Sequence, residues 1–312
     1  MTAEIIDGRA CAQELKRAVA VDVKEAREED LNCGLATVQV GSNYSATAYE
    51  RRLRRLAHDL DVPYFRHQLP GTSTEDEIIR VISRLNADRS VAGILVLRPL
   101  PGHVREPVVF SALNPLKDIE SVHPENAGLL ALGIPRYVPS TAASAFHLLD
   151  TWLRSAGEDP PAFYHRSLIV VVGRSNNVGK PAVSLAYDRE AAVESVDEWA
   201  SRTLGLGWHT RRAHVLIVAA GKPGLIRAEH VAEGSVVIDV GINPVTDQGT
   251  GQVHMVGDVD FAAVAGRARA VTPVPGGVGP VTDVWLMRNT MAAARYLSVA
   301  CGSHPGGPER DR

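Results

Sequence analysis

Five short runs of aliphatic and β-branched residues recur along the chain with helix-length stretches between them: LATVQV (35–40), AGILVL (92–97), SLIVVVG (167–173), HVLIVAA (214–220) and SVVIDVG (235–241). These runs are rich in β-branched residues, so each reads as a strand buried on both faces. Such strands occur where helices cover both sides of a mostly parallel sheet, which makes the chain an α/β protein. Its 312 residues, 45% of them apolar, suffice for two domains of ordinary size. The proline-rich stretch SAGEDPPAFYHR (155–166) reads as a loop before the second domain's first strand. A last helix is expected over 283–299, and CGSHPGGPERDR (301–312) as a disordered tail.

A formal net charge of −3 gives no general attraction for polyanions, so no nucleic-acid partner is expected. The densest basic stretch, YERRLRRL (49–56), fits an amphipathic helix instead. At about 100° per residue, Tyr49, Leu53, Leu56 and Leu60 share one stripe, Arg51, Arg54 and Arg55 face away, and Arg52 falls near the stripe's edge. No apolar run reaches the roughly 18 residues needed to span a bilayer. MTAEIIDGRACAQELK lacks the basic-then-apolar order of a signal peptide, so no membrane association and a cytoplasmic location are expected. Three distant cysteines (Cys11, Cys33, Cys301) and eleven scattered histidines indicate neither disulfides nor a metal site.

Two stretches could hold ligands through their backbone. VVVGRSNNVGKP (170–181) runs from a strand into a helix, with Gly173, Ser175 and Gly179 at a turn where N–H groups and a helix N-terminus can bind phosphate. It is not a Walker A loop, because five residues separate Gly173 from Gly179 and Pro181 stands where Ser or Thr would meet magnesium. Its spacing fits a dinucleotide site and a structural strand-to-helix turn equally. The next strand, AAVESVDE (191–198), ends in Asp197 and Glu198, placed either to bond a ribose hydroxyl or simply to be solvated. VTPVPGGVGPVT (271–282) carries Gly276, Gly277 and Gly279 among three prolines, which suits either a backbone surface for a flat ligand or a rigid linker.

Taken in order, nine blocks resemble the bifunctional methylenetetrahydrofolate dehydrogenase/methenyltetrahydrofolate cyclohydrolase (FolD-type) family over nearly the whole chain. They are IIDGRACAQEL, VGSNYSATAY (40–49), GILVLRPLP (93–101), KDIESVHPENAG (117–128), GRSNNVGKP, AAGKPG (219–224), VIDVGIN (237–243), VGDVDF (256–261) and TPVPGGVGP (272–280). The resemblance implies an N-terminal α/β folate-binding and catalytic domain (1–145) completed by the last helix (283–300), a Rossmann-type NAD(P)-binding domain (146–282), a cleft between them, and a homodimer. It implies hydride transfer from 5,10-methylenetetrahydrofolate to a nicotinamide nucleotide, then hydrolysis to 10-formyltetrahydrofolate. Folate would meet Tyr49, which matches the family's active-site tyrosine, with Arg52, Arg98, Glu120, Pro273, Gly276 and Gly277, and the cofactor Gly173, Arg174, Ser175, Gly179, Pro181, Asp197, Glu198 and Ile242. Asp197 and Glu198 argue for NAD, whereas Arg174 matches a family residue close to the 2′-phosphate of NADP; the expectation leans slightly to NAD.

The chain departs from the family where the family does its proton chemistry. The lysine expected on the helix face of Tyr49 is Leu53, the glutamine that would orient it is Leu97 with Arg98 beside it, and the pterin-binding aspartate is Glu120. Leucine cannot relay a proton, and a positioned acid or base contributes about 10²- to 10⁴-fold. Hydride transfer depends chiefly on orientation. The expected function is therefore an NAD(P)-dependent methylenetetrahydrofolate dehydrogenase with weak or lost cyclohydrolase activity. Its rivals are another folate-linked one-carbon reaction and a silent folate- and nucleotide-binding paralogue. Arg52 and Arg98 keep their protons near neutral pH and are expected to hold an acidic group such as Glu120. His123 reads as a structural turn residue. Asp283 reads as the N-cap of the last helix, with a polar contact in the cleft as the alternative.

Overall fold

The computed structural model describes residues 2–300 apart from 248 and 250, so the expected tail at 301–312 lies outside the described residues. Its strands are β1 (Glu4–Ile5), β2 (Gly34–Val40), β3 (Tyr64–Leu69), β4 (Val91–Val96), β5 (Leu168–Val172), β6 (Ala192–Val196), β7 (Val215–Val218), β8 (Val236–Asp239), β9 (Asn243–Thr246), β10 (Val253–Val256) and β11 (Ala270–Val271). All five expected runs form strands, namely β2, β4, β5, β7 and β8. The chain divides into two compact units, Met1–Gln13 with Thr141–Thr282 and Glu14–Ser140 with Asp283–Arg312.

In the second of these units the parallel order is β3-β2-β4. Every residue of β2 and β4 is buried, the polar Thr37 and Gln39 of β2 included. Ala36, Val38 and Val40 cluster with Ile78 and Ile82 of the Glu75–Ala87 helix, whose start is fixed by a capping box between Thr74 and Glu77. The Tyr44–Asp59 helix packs on β2 and β3; Asn43 caps it, and it buries Ala46, Leu53 and Ala57. β3 escapes the reading by apolar runs because YFRHQL is an edge strand, half-buried at best.

In the other unit six parallel strands run in the order β1-β11-β8-β7-β5-β6, beside an antiparallel β9–β10 hairpin. Counted from β5, the order is 2-1-3-4-5, with β1 added at the edge. The direction of winding reverses between β5 and β7, the switch point outside which open α/β sheets bind ligands. The first 13 residues lie with this unit, unlike the expected division at 145. Glu4–Ile5 pairs in register with Ala270–Val271, and Trp152 Nε1 donates to Glu4 Oε2 at 2.8 Å.

Two further expectations are corrected. The stretch read as a loop contains a short helix, Pro160–His165, capped by Asp159 Oδ2, which accepts from Ala162 N at 3.1 Å. An aspartate followed by two prolines is a helix start, because prolines at the first positions forgo N–H groups that have no intrahelical partner. The last helix runs Val278–Ala300, so Gly279 and Pro280 lie in its first turn and Asp283 in its second. Asp283 is therefore not the N-cap. His123 does cap a helix, Pro124–Ala131, with Nδ1 accepting from Glu125 N at 3.1 Å. Among the described residues no helix is long and apolar enough to cross a membrane, and no group of three or more His, Cys, Asp or Glu could hold a metal ion.

Candidate active site

At the switch point the backbone approaches itself so closely that only glycine fits. Gly173 follows β5 with φ +114°, and a Cβ there would lie 2.2 Å from Ala219 O, just beyond β7. A Cβ on Gly179 would lie 2.2 Å from Gly173 O, so the Gly179–Asp188 helix starts directly on the turn, with Pro181 buried at its third position. Ser175 Oγ accepts weakly from Val178 N and Gly179 N, at 3.3 and 3.4 Å. Arg174 reaches the end of β6, donating to Ser195 Oγ at 3.1 Å, Ser195 O at 2.8 Å and Asp197 Oδ2 at 3.1 Å.

Asp197 is doubly engaged, because Oδ1 also caps the Glu198–Leu204 helix by accepting from Ala200 N at 2.8 Å. That N–H bond and the Arg174 charge hold its carboxyl below the usual range. Glu198 pairs with Arg202 at 2.8 Å. Asp197 is thus partly buried and held twice, whereas Glu198 is exposed and paired only along its own helix. Ile242 is exposed in the short turn between β8 and β9.

Two buried aspartates, missed as functional candidates, organise the loops at the carboxyl ends of these strands. Asp258 Oδ2 accepts from Ala220 N at 2.6 Å and Gly221 N at 2.8 Å, and Oδ1 accepts from Asn243 Nδ2 at 2.8 Å. Asp239 Oδ1 accepts from Gly241 N and Asp258 N, Oδ2 accepts from Val259 N, and Asp239 N donates to Thr272 Oγ1 at 2.7 Å. A Cβ on Gly257 would strike Asp239 Oδ2 at 1.8 Å. The blocks AAGKPG, VIDVGIN and VGDVDF thus share one buried network that also ties down the start of TPVPGG. In that loop Gly276 has φ +115°, a Cβ on Gly277 would lie 2.7 Å from Pro273 O, and a Cβ on Gly8 would lie 1.8 Å from Gly277 O. The glycine of IIDGR serves this loop, which its distance in sequence concealed.

The unit holding Tyr49 also holds Leu53, Leu97 and Glu120. Tyr49 is half-buried and Leu53 fully so, while Arg51, Arg54 and Arg55 are exposed, as the helical spacing requires. Glu50, which the spacing did not single out, is also buried. Leu97 is buried just beyond β4. Asp118 builds the turn that presents Glu120: Oδ1 accepts from Val122 N at 3.1 Å, and Oδ2 accepts from His123 N at 2.8 Å and Asn126 Nδ2 at 2.9 Å. Asn289 Nδ2 donates to Ile119 O and Val138 O, both at 2.8 Å. Ser140 N donates to Glu120 Oε1 at 3.1 Å, and burial pushes the Glu120 carboxyl up to about 7.

The arginines do not pair with Glu120, contrary to expectation. Arg52 Nε donates to Asp283 Oδ2 at 3.1 Å and its guanidinium lies 5.3 Å from the Tyr49 ring centroid. Arg98 lies 3.3 Å from Glu106 Oε2 and over the Phe110 ring at 4.5 Å. Each arginine pairs with another acid, and Asp283 makes a polar contact with Arg52 of its own unit in place of a cap.

A doubly wound parallel sheet with a glycine-only strand–turn–helix at its switch point, joined in one chain to a second parallel α/β unit, defines a two-domain α/β protein of the nucleotide-binding class. Two family models match: tetrahydrofolate dehydrogenase/cyclohydrolase, catalytic domain, over residues 6–120, and the NAD(P)-binding domain of the same family over residues 139–298. The chain belongs to the tetrahydrofolate dehydrogenase/cyclohydrolase family. It is 57% identical to bifunctional protein FolD 2 of Rubrobacter xylanophilus over 99% of this chain and 97% of that one, and 58% identical to FolD 3 of the same organism over 96% and 94%. Among solved structures, the methylenetetrahydrofolate dehydrogenase-cyclohydrolase of Trypanosoma brucei, complexed with NADP cofactor and inhibitor, superposes with TM-score 0.86 at 33% identity over 95% of this chain and 99% of that one. The bifunctional enzyme of Campylobacter jejuni gives 0.85 at 31% over the same shares.

Proposed function

We propose that this protein oxidises 5,10-methylenetetrahydrofolate to 5,10-methenyltetrahydrofolate with NAD or NADP, and carries the methenyl group on to 10-formyltetrahydrofolate only weakly. The observation behind this reading is a contrast. The nucleotide turn keeps its glycine-only geometry, whereas position 53, on the helix face of Tyr49, is a leucine with 0% exposure.

The nicotinamide nucleotide, when bound, supplies the hydride acceptor. The turn from Gly173 through Ser175 to Gly179 sets the N-terminus of the Gly179–Asp188 helix toward its pyrophosphate, the Gly173 N–H itself being given to Val196 O, with Pro181 and Ile242 bordering the same loops. The packing at Gly173 and Gly179 suits that group, because any side chain there would fill the approach. Arg174 and Ser195 form a donor pair at the end of β6. Since Asp197 and Glu198 are each paired with an arginine, their repulsion of a 2′-phosphate is largely cancelled, and NADP serves about as well as NAD. Glu120, as carboxylate, accepts from the amide edge of the pterin, and the backbone of Pro273, Gly276 and Gly277 offers a flat surface. Tyr49 lines the folate's place beside Arg52, with Arg98 and Leu97 beyond. We place the protein in the cytoplasm as a homodimer, on the family resemblance.

A titration with 5,10-methylenetetrahydrofolate and each nucleotide, followed by methenyl absorbance, tests this. Methenyl product should appear with both nucleotides at comparable rates and persist. No product with either, while tetrahydrofolate still gives heat in calorimetry, would instead support the silent binding paralogue.

A further inference from the structure

The departures at positions 53 and 97 leave methenyl hydrolysis without its expected acid or base, yet a different group stands beside Tyr49. Asp283 lies within the Val278–Ala300 helix, where it caps nothing. Its Oδ2 accepts from Arg52 Nε at 3.1 Å, while Oδ1 is buried with no hydrogen-bond partner. An unsatisfied buried carboxylate oxygen costs stability unless water or a ligand completes it, so it is the atom in this cluster that asks for a donor. Arg52 leans over the Tyr49 ring, which brings tyrosine, arginine and carboxylate together from two helices. Burial, then the charges of Asp283 and Glu120, hold the Tyr49 phenol far above its ordinary range, so it remains a proton donor.

We propose that Asp283 is the acid–base residue through which this chain hydrolyses the methenyl group, with Arg52 as its positioning residue. This rests on the folate reading above. As the oxygen of a water molecule bonds to the methenyl carbon of the cation, one water proton passes to Asp283 and a neutral tetrahedral adduct forms. The bond from that carbon to N5 then breaks, its electron pair goes to N5, and N5 takes the proton from Asp283. The adduct's hydroxyl loses its proton to solvent as the formyl C=O forms, so water and cation yield 10-formyltetrahydrofolate and one proton. Burial raises the Asp283 carboxyl above its ordinary range and Arg52 opposes that shift, while its bond to Oδ2 leaves Oδ1 for the water. A carboxylate is a weaker base than an amine, which accords with slow hydrolysis.

The test supplies methenyltetrahydrofolate directly, follows its disappearance against buffer, and measures hydride transfer in parallel. In Asp283→Asn the ratio of hydrolysis to hydride transfer should fall at least tenfold, Asp283→Glu should recover part of it, and Arg52→Gln should lower it less than Asp283→Asn. If Asp283→Asn does not fold, Asp283→Val serves, since an aliphatic side chain suits a helix face and carries no unpaired oxygen. An unchanged ratio overturns the inference, as does hydrolysis in the starting protein no faster than in buffer; either result leaves the dehydrogenase standing. Absence of both activities would overturn the functional reading itself.

Discussion

At position 120, which the proposed function sets against the pterin, glutamate carries one methylene more than aspartate. The Glu120 carboxyl is pushed up to about 7, chiefly by burial, and the charge of Asp118 adds to the shift while Ser140 and Arg98 oppose it. Below that pH the group is protonated and presents a donor where the pterin also presents donors; above it, two acceptor oxygens are available. Affinity for tetrahydrofolate should therefore rise as pH is raised through about 7 and then level off, and in Glu120→Gln it should be weak and flat across the same range. Calorimetry at several pH values checks this. The paired variant Leu53→Lys with Leu97→Gln should raise methenyl hydrolysis well above the starting protein and either single change, because a lysine buried without its orienting amide is poorly poised. It should also lower Tm, since both leucines are buried. Equal hydrolysis in all four proteins would refute that account. The stripe of Tyr49 and Leu53 was legible because helical spacing is local, and it placed Arg52 at the stripe's edge. The Arg52–Asp283 pair was not, because its partners lie 231 positions apart and the helix carrying Asp283 begins five residues before the expected start.

At the scale of elements, the buried strands declared themselves because short runs rich in aliphatic and β-branched residues have few other uses, while β1, β3 and β11 did not. β1 and β11 are two residues long, and their pairing joins opposite ends of the chain. The blocks AAGKPG, VIDVGIN and VGDVDF were recognised as family resemblance without a role, and the structure gives them one through Asp239 and Asp258. Asparagine at 258 would set an N–H₂ group either against the N–H groups of Ala220 and Gly221, which share one carboxylate oxygen, or against Asn243 Nδ2, which donates to the other, and so disturb the loop after β7. Asp258→Asn should raise the KM for NAD(P) about tenfold or more while altering the KM for the folate little, and should cost about 2 kcal/mol of stability for the lost bonds to a charged acceptor. Steady-state kinetics with each substrate varied, alongside denaturant unfolding, reads both effects. Equal rises in the two KM values would mean that the network supports the unit as a whole and not the nucleotide loops.

For the whole molecule, the proposed homodimer should sediment at twice the 33.5 kDa chain mass at micromolar concentration, and a single-chain mass would overturn it. Sequence alone determined the α/β class, the buried strands, the family blocks and the leucines at 53 and 97. Each of these is written either in a local period or in residue identity, and neither needs to know what else is near. Tertiary structure decided the rest. It set residues 1–13 in the six-stranded unit through the pairing of β1 with β11, engaged Asp197 and Glu198 with arginines, and joined three glycine-rich blocks through two buried aspartates. It also turned Asp283 from an expected cap into the partner of Arg52. A charged group's role depends on which counter-charge and which N–H groups folding brings within about 3 Å of it, and no local pattern of residues records those distances.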